Sequence, residues 1–189
     1  MKKTIIIIIS VLLVLSIIIV GIVLNKKTKT KLAEMNSAED LATLVKNIYK
    51  GIEDELPSLM TQKIDVNDAD MVKMMTGLEN GNSLKYLVVS EPMMSSQAYS
   101  LVITKVKDGV NANEIAKLMS ENVNTRKWIC VSADKVYATS SGDIAMFVMA
   151  DEEWAKLVYE KFKKLAENVG KEYEKTEEES NFGDLMVAE

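Results

Sequence analysis

The run DIAMFVMA, from Asp143 to Ala150, is apolar on both faces of a β-strand. Its alternating side chains form two apolar sets: Ile144, Met146 and Val148 on one face, and Ala145, Phe147 and Met149 on the other. A strand with two apolar faces is typical of the covered centre of a sheet, where neither face meets water. We therefore expect this strand to be central, with further strands beside it and helices packed over it.

Two antiparallel hairpins are indicated around this strand. The turn-forming triplet Ser140-Ser141-Gly142 predicts a hairpin between residues 135–139 and 143–150. Residues 84–90 and 97–107 are rich in β-branched and aromatic side chains, which predicts a second hairpin. Because both connections are short, the sequence predicts four strands that pair mostly antiparallel.

Helical periodicity accounts for the rest of the domain. Apolar runs of helical spacing predict helix starts at four places: at Ser37, which can cap its helix, near Asn67 or Asp68, at about Asn111, and at Asp151, where three acids favour the positive end of the helix. A proline indicates that residues 55–59 form a connector. The resulting order, α-α-β-β-α-β-β-α, predicts an α+β domain in which helices pack on one face of a four-stranded sheet.

The most apolar part of the chain runs from Ile5 to Leu24, IIIIISVLLVLSIIIVGIVL. Seventeen of its twenty residues are Ile, Leu or Val, and none is charged. As a helix it would extend about 30 Å, the thickness of the hydrocarbon core of a bilayer. No small-x-small cleavage site follows, so we expect an N-terminal transmembrane helix that remains as a single-pass anchor instead of a cleaved signal peptide.

This anchor divides the chain into four parts. Residues 1–27 would form the membrane anchor with its flank, 28–36 a polar tether, 37–170 the α+β domain and 171–189 an acidic, disordered tail. The formal net charge of −5 argues against nucleic acid as a partner, because binding to a duplex needs a basic surface. The expected partners are the membrane itself and a protein of the cell envelope.

Two competing rules bear on the direction of the anchor. Lys2 and Lys3 precede it and four lysines follow it, and this excess, counted literally, places the domain in the cytoplasm. Long downstream domains translocate largely regardless of flanking charge, however, and a short N-terminus with two lysines is a common signal-anchor start. We expect the domain to lie outside the membrane, with a cytoplasmic-facing regulatory domain as the alternative.

The chain contains no histidine and a single cysteine, Cys130. The lack of histidine excludes His-based acid–base catalysis, Ser-His-Asp and Cys-His pairs, and His-containing zinc sites. Arg126 and Lys127 would favour a reactive Cys130 thiolate, but a lone cysteine in an apolar run is more often buried packing. Residues 65–70 (DVNDAD) are similar to the start of a calcium loop but lack its glycine, so a helix N-cap explains them better.

The connection between the first two strands is the candidate binding surface. It contains Glu91, Met93, Met94, Ser95 and Ser96. The two methionines would give a partner protein an adaptable apolar contact, or offer thioether ligands to Cu(I). The commoner arrangement is that one of them folds inward to close the end of the sheet. Exposure of both side chains would support the partner contact.

Three short motifs carry a resemblance to a group of envelope proteins: VVSEPMMSS from Val88 to Ser96, VKD from Val106 to Asp108, and SGD from Ser141 to Asp143. With the capped first helix, they are similar to an uncharacterised Gram-positive (Firmicutes-type) family of membrane-anchored extracytoplasmic domains of unknown function. The resemblance implies an α+β domain outside the membrane and transfers no active site. Unlike lipid-anchored members, this chain has no cysteine after its apolar run.

These observations predict a membrane-tethered extracytoplasmic module that binds a protein without catalysis or a cofactor. The alternative is a histidine-independent envelope enzyme that uses paired carboxylates, for which Glu91, Asp134 and Asp143 are the candidates near strand ends. Two carboxyl groups about 5–10 Å apart in a cleft would favour the enzyme. An exposed apolar surface at Met93 and Met94 would favour the interaction module.

Overall fold

The computed structural model describes residues 32–94 and 96–176, which form a six-stranded antiparallel sheet. The strands are β1 (Leu59–Ile64), β2 (Leu84–Pro92), β3 (Ser100–Val106), β4 (Lys135–Ser141), β5 (Ile144–Ala150) and β6 (Tyr173–Thr176). Their order across the sheet is β1-β2-β3-β5-β4-β6, and every neighbouring pair is antiparallel. The predicted mixture of helices and strands is confirmed, whereas the predicted four-stranded sheet is wrong.

The two strands that the sequence did not reveal are the edge strands β1 and β6. β1 begins at Leu59, the last residue of the predicted connector, and continues through residues 60–64, for which the sequence predicted no element. β6 lies inside the region expected to be a disordered tail from residue 171. Both are mostly polar or partly exposed along their length, so neither shows the apolar alternation of a half-buried strand. They form because β2 and β4 have backbone N–H and C=O groups with which they pair. These partner strands lie elsewhere in the chain, so the local sequence of β1 and β6 does not reveal the pairing.

Four α-helices flank this sheet within the described residues: α1 (Ala38–Tyr49), α2 (Ala69–Thr76), α3 (Ala112–Asn122) and α4 (Glu152–Leu165). Each begins after a side chain that accepts a backbone N–H of the first turn, and these capping side chains are Ser37, Asp68, Asn111 and Asp151. Such caps satisfy donors that the helix itself leaves free. The four predicted helix starts are therefore confirmed.

The helices cover both faces of the sheet, not one face as expected. α1 and α4 pack on one face, and α2 and α3 pack on the other, so that two separate apolar clusters form. β5 contributes alternate side chains to each cluster, and every one of its residues is buried. The prediction of a covered central strand is confirmed, because β5 lies between β3 and β4.

The predicted membrane anchor from Ile5 to Leu24 lies outside the described residues. Among the helices that the structure does describe, none is both long enough and apolar enough to cross a bilayer. The part of the predicted polar tether before residue 32 and the segment 177–189 also lie outside the description.

The sheet has two ends, and the first described residues join one of them. Lys105, at the end of β3, donates from Nζ to the Met35 carbonyl at 2.7 Å and pairs with Asp143 Oδ2 at 2.9 Å. We call this end, with the β4–β5 turn, the near end. The far end contains Pro92 and Ser100, and it lies about 17 Å along β3 from Lys105 at ~3.4 Å per residue.

Candidate functional site

An ion pair lies at the far end, on the face of the sheet that α2 and α3 cover. Glu91, near the end of β2, pairs with Lys127, which follows α3 in the connection to β4. Glu91 shares its face of β2 with Leu87 and Val89, both of which are buried against α2 and α3. The pair is mostly buried, and it joins the 123–134 connection to the sheet.

Lys127 makes further contacts around its ammonium group. Its Nζ lies 3.3 Å from Ser100 Oγ, 3.8 Å from Met75 Sδ and 5.4 Å from the centre of the Trp128 ring. Burial lowers the pKa of Lys127 below its ordinary value, and the neighbouring Glu91 carboxylate opposes part of this shift. These contacts fix the position of the connection that carries Trp128 and the residues after it.

Four exposed apolar side chains lie on the segments that this ion pair and the β1–β2 pairing join, and we call them the far-end patch: Met60, Met93, Met94 and Ile129. Their exposed fractions are 45%, 70%, 68% and 72%. Met60 is the β1 partner of Glu91, and Met93 donates its backbone N–H to the Ser58 carbonyl at 3.2 Å. Ile129 is two residues from Lys127. Exposed apolar groups gathered at one place on a protein are typical of an interaction surface.

The structure separates the predicted loop residues into two groups. Met93, Met94 and Ser96 are exposed, so the expectation that a methionine folds inward is wrong. Glu91 instead points to Lys127 and supports the patch from below. Ser95 lies outside the described residues.

Sequence reasoning missed Met60, Ile129 and the role of Lys127 beside Glu91. Met60 lies in the unpredicted edge strand β1, and Ile129 lies in a run, WICV, whose pattern fits a strand and a buried connector equally. The exposed position of Ile129 shows that this run is a surface connection. Four apolar residues are too few for a periodicity that would distinguish these possibilities.

The three carboxylates proposed for an enzyme do not meet. Asp143 lies at the near end with Lys105, whereas Glu91 lies at the far end with Lys127. Asp134 is exposed just before β4. Because β4 is three strands away from β2 in the sheet, Asp134 is separated from Glu91 by about 14 Å at ~4.8 Å per strand. A paired-carboxylate hydrolase needs its acids about 5–10 Å apart. These three residues therefore form no such pair.

Lys127 and Ser100 have the separation of a nucleophile and its base, but their surroundings do not suit catalysis. The Ser100 side chain is completely buried, so a substrate carbonyl has no access to Oγ. The Lys127 ammonium group is also already paired with the Glu91 carboxylate. The contact between Lys127 and Ser100 therefore positions the 123–134 connection.

Two further sequence candidates have structural roles or none. Cys130 is exposed and has φ +63°, so the expectation of buried packing is wrong. Asp68 accepts the Met71 N–H at 3.0 Å as the cap of α2, which confirms the N-cap interpretation of residues 65–70. Across residues 32–94 and 96–176, no group of three or more Cys, Asp or Glu side chains is arranged to hold a metal ion.

Comparison with family models, with curated proteins and with solved structures finds no match for this chain. The geometry of the far-end patch is therefore the basis for assigning a function.

Proposed function

We propose that this protein is a membrane-tethered extracytoplasmic interaction module that binds an envelope protein through the far-end patch. One observation carries the proposal: Met93 and Met94 are exposed at the end of the sheet opposite Met35, which lies in the predicted tether. In this proposal the near end, where the described end of the predicted tether contacts Lys105, is directed toward the bilayer. The far-end patch then faces away from the membrane.

The chemistry of the patch suits a protein partner. Methionine side chains are flexible and polarisable, so they adapt to apolar surfaces of different shape. The Glu91–Lys127 ion pair and the antiparallel pairing of β1 with β2 hold the backbone beneath them in place. A tether also raises the effective concentration of the module toward neighbours in the same membrane, so a small patch is sufficient for binding.

The proposal is tested with a photo-reactive amino acid at Ser96, an exposed position beside the patch. Irradiation of cells that carry the full chain is expected to give one discrete adduct with another protein. In the double variant M93S/M94S the yield of this adduct should fall by about tenfold, which corresponds to ~1.4 kcal/mol of lost contact. Yield is measured by blotting against the chain.

The matched control is Val169→Ser, which removes an exposed apolar side chain at the near end. Val169 belongs to this end because the N–H of the next residue, Gly170, donates to the Ser140 carbonyl near the β4–β5 turn. This variant should keep the wild-type adduct. An adduct of unchanged yield in M93S/M94S would show that the patch is not the contact. Circular dichroism of each variant establishes that a loss of adduct does not come from unfolding.

A further inference from the structure

A second surface feature, a groove of about 760 Å³, runs beside α3 and is separate from the far-end patch. One wall is α3, and the other is the end of α2 with the segment 77–83 that leads to β2. Its apolar lining consists of Met74, Leu78, Ile115 and Leu118. Met74 and Leu118 are exposed although they line a concave surface, so the groove lacks a cover in the described part of the chain.

The described chain ends beside the far-end mouth of this groove. Lys175, in β6, donates from Nζ to the carbonyls of Glu121 and Val123 at 3.1 and 3.3 Å. Asn122 and Asn124, which are next to these two residues in the chain, line the groove. Because the description stops at Thr176, the following residues start within one helix width, about 10 Å, of the mouth.

The thirteen residues that follow, EEESNFGDLMVAE, have a composition that fits the groove. Three glutamates come first and are long enough, at ~3.4 Å per residue, to pass around the end of α3. Phe182, Leu185 and Met186 come next, at the i, i+3, i+4 spacing that places side chains on one face of a helical turn.

Charge also favours this path. The segment 177–189 carries five acidic residues and no basic one. Arg126 follows the last residue of α3 by four positions, and Lys175 contacts the Glu121 carbonyl at the end of that helix, where the three glutamates would pass. Lys73 lines the groove itself. The C-terminus of a helix carries a partial negative charge that repels an acidic segment. The basic side chains at the end of α3 offset this repulsion.

We infer that the groove beside α3 is the binding site of residues 182–188 of the same chain. Phe182, Leu185 and Met186 cover Leu78, Ile115 and Leu118, and the glutamates cross the end of α3. Lys127 lines the groove and also pairs with Glu91 beneath the far-end patch, but none of the four patch side chains lines the groove, so variants of those side chains test the partner contact separately. With the groove filled from within, the far-end patch is still exposed to another protein.

Cross-linking of engineered cysteines tests this inference on the full chain. Cys130→Ser removes the only native cysteine, and Leu118→Cys with Met186→Cys then places one thiol in the groove and one in the segment. A short bismaleimide is expected to join the two within one chain. The matched control pairs Met186→Cys with Lys156→Cys, an exposed site on α4 across the sheet. The groove pair should react about tenfold faster, because docking raises the effective concentration.

Three outcomes would overturn the inference. The first is an equal rate for the groove pair and the control pair. The second is a cross-link found between chains when the two single-cysteine variants are mixed, which would mean that a second copy fills the groove. The third is unchanged hydrogen exchange of α3 amides in L185S/M186S, where loss of docking should raise exchange at residues 115–122. The cross-link should persist in M93S/M94S, so failure of the partner contact would not be mistaken for failure of this inference.

Discussion

At the scale of single residues, the far end of the molecule depends on Lys127. This lysine lies 36 positions from Glu91 in the sequence, yet the two charges are adjacent and mostly buried. A buried ion pair is costly to break from one side, because the remaining charge stays away from water. The sequence drew attention to Glu91 and Lys127 separately, but it contained no local signal that they would pair.

We expect Lys127→Met to destabilise the fold by about 2–4 kcal/mol, because it leaves the Glu91 carboxylate buried without a counter-charge. The methionine keeps most of the volume of the lysine, so loss of packing contributes little. Urea unfolding of the full chain, followed by circular dichroism, measures the change in the free energy of unfolding.

The double variant E91Q/K127M is the control for this measurement. It removes both charges and should recover at least half of the lost stability, since no uncompensated charge remains. If the double variant were as unstable as Lys127→Met alone, the ion pair would not be the cause. The single variant should also reduce the Ser96 adduct, because the pair supports the patch.

At the scale of elements, prediction succeeded where the cause is local. Ser37 and Asp151 cap their helices through contacts within three residues, and the β4–β5 hairpin closes through Gly142 with φ +60°. Prediction failed at β1 and β6, because an edge strand is defined by the neighbour with which it pairs. The acidic composition of the segment 171–189, in which β6 lies, gave no indication that β4 would pair with part of it.

The close approach of α2 to α3 gives a prediction at this scale. Gly77 ends α2 with φ +74°, and a Cβ there would lie 2.5 Å from the backbone carbon of Asn122. Gly77→Ala therefore adds a steric clash to an unfavourable dihedral angle, and we expect a loss of about 3 kcal/mol in the free energy of unfolding.

Gly109→Ala separates these two effects. Gly109 has φ +81°, but a Cβ added there would have no other atom within 4 Å, so only the cost of the dihedral angle, about 1 kcal/mol, is expected. Thermal unfolding of both variants measures the difference. Equal losses would show that α2 and α3 move apart easily and that the groove wall is not fixed.

At the scale of the whole molecule, the arrangement of the two ends determines what the protein presents. The described end of the predicted tether meets the near end through Met35 and Lys105, and the far-end patch lies at the other end of the sheet. If the proposed membrane tether holds, the side of the membrane on which the domain lies decides whether the patch meets envelope proteins or cytoplasmic ones.

Arg126 provides a test of this position, because it is the only arginine in the sequence and is exposed in the turn after α3. An arginine-specific protease added to intact cells should cut the chain once, at residue 126, if the domain lies outside. Arg126→Lys should abolish the cut. A chain that resists the protease in intact cells and is cut only after lysis would place the domain in the cytoplasm.

The sequence by itself determined the central strand, the two hairpins, the four helix starts and the loop that carries Met93 and Met94. Each of these depends on periodicity, capping or turn chemistry within a few residues. Only the tertiary structure decided the two edge strands, the covering of both sheet faces and the position of Glu91 beside Met60 and Lys127 at one end. These features depend on strand pairing and side-chain packing between segments far apart in the chain. The local sequence pattern of either segment does not indicate such contacts.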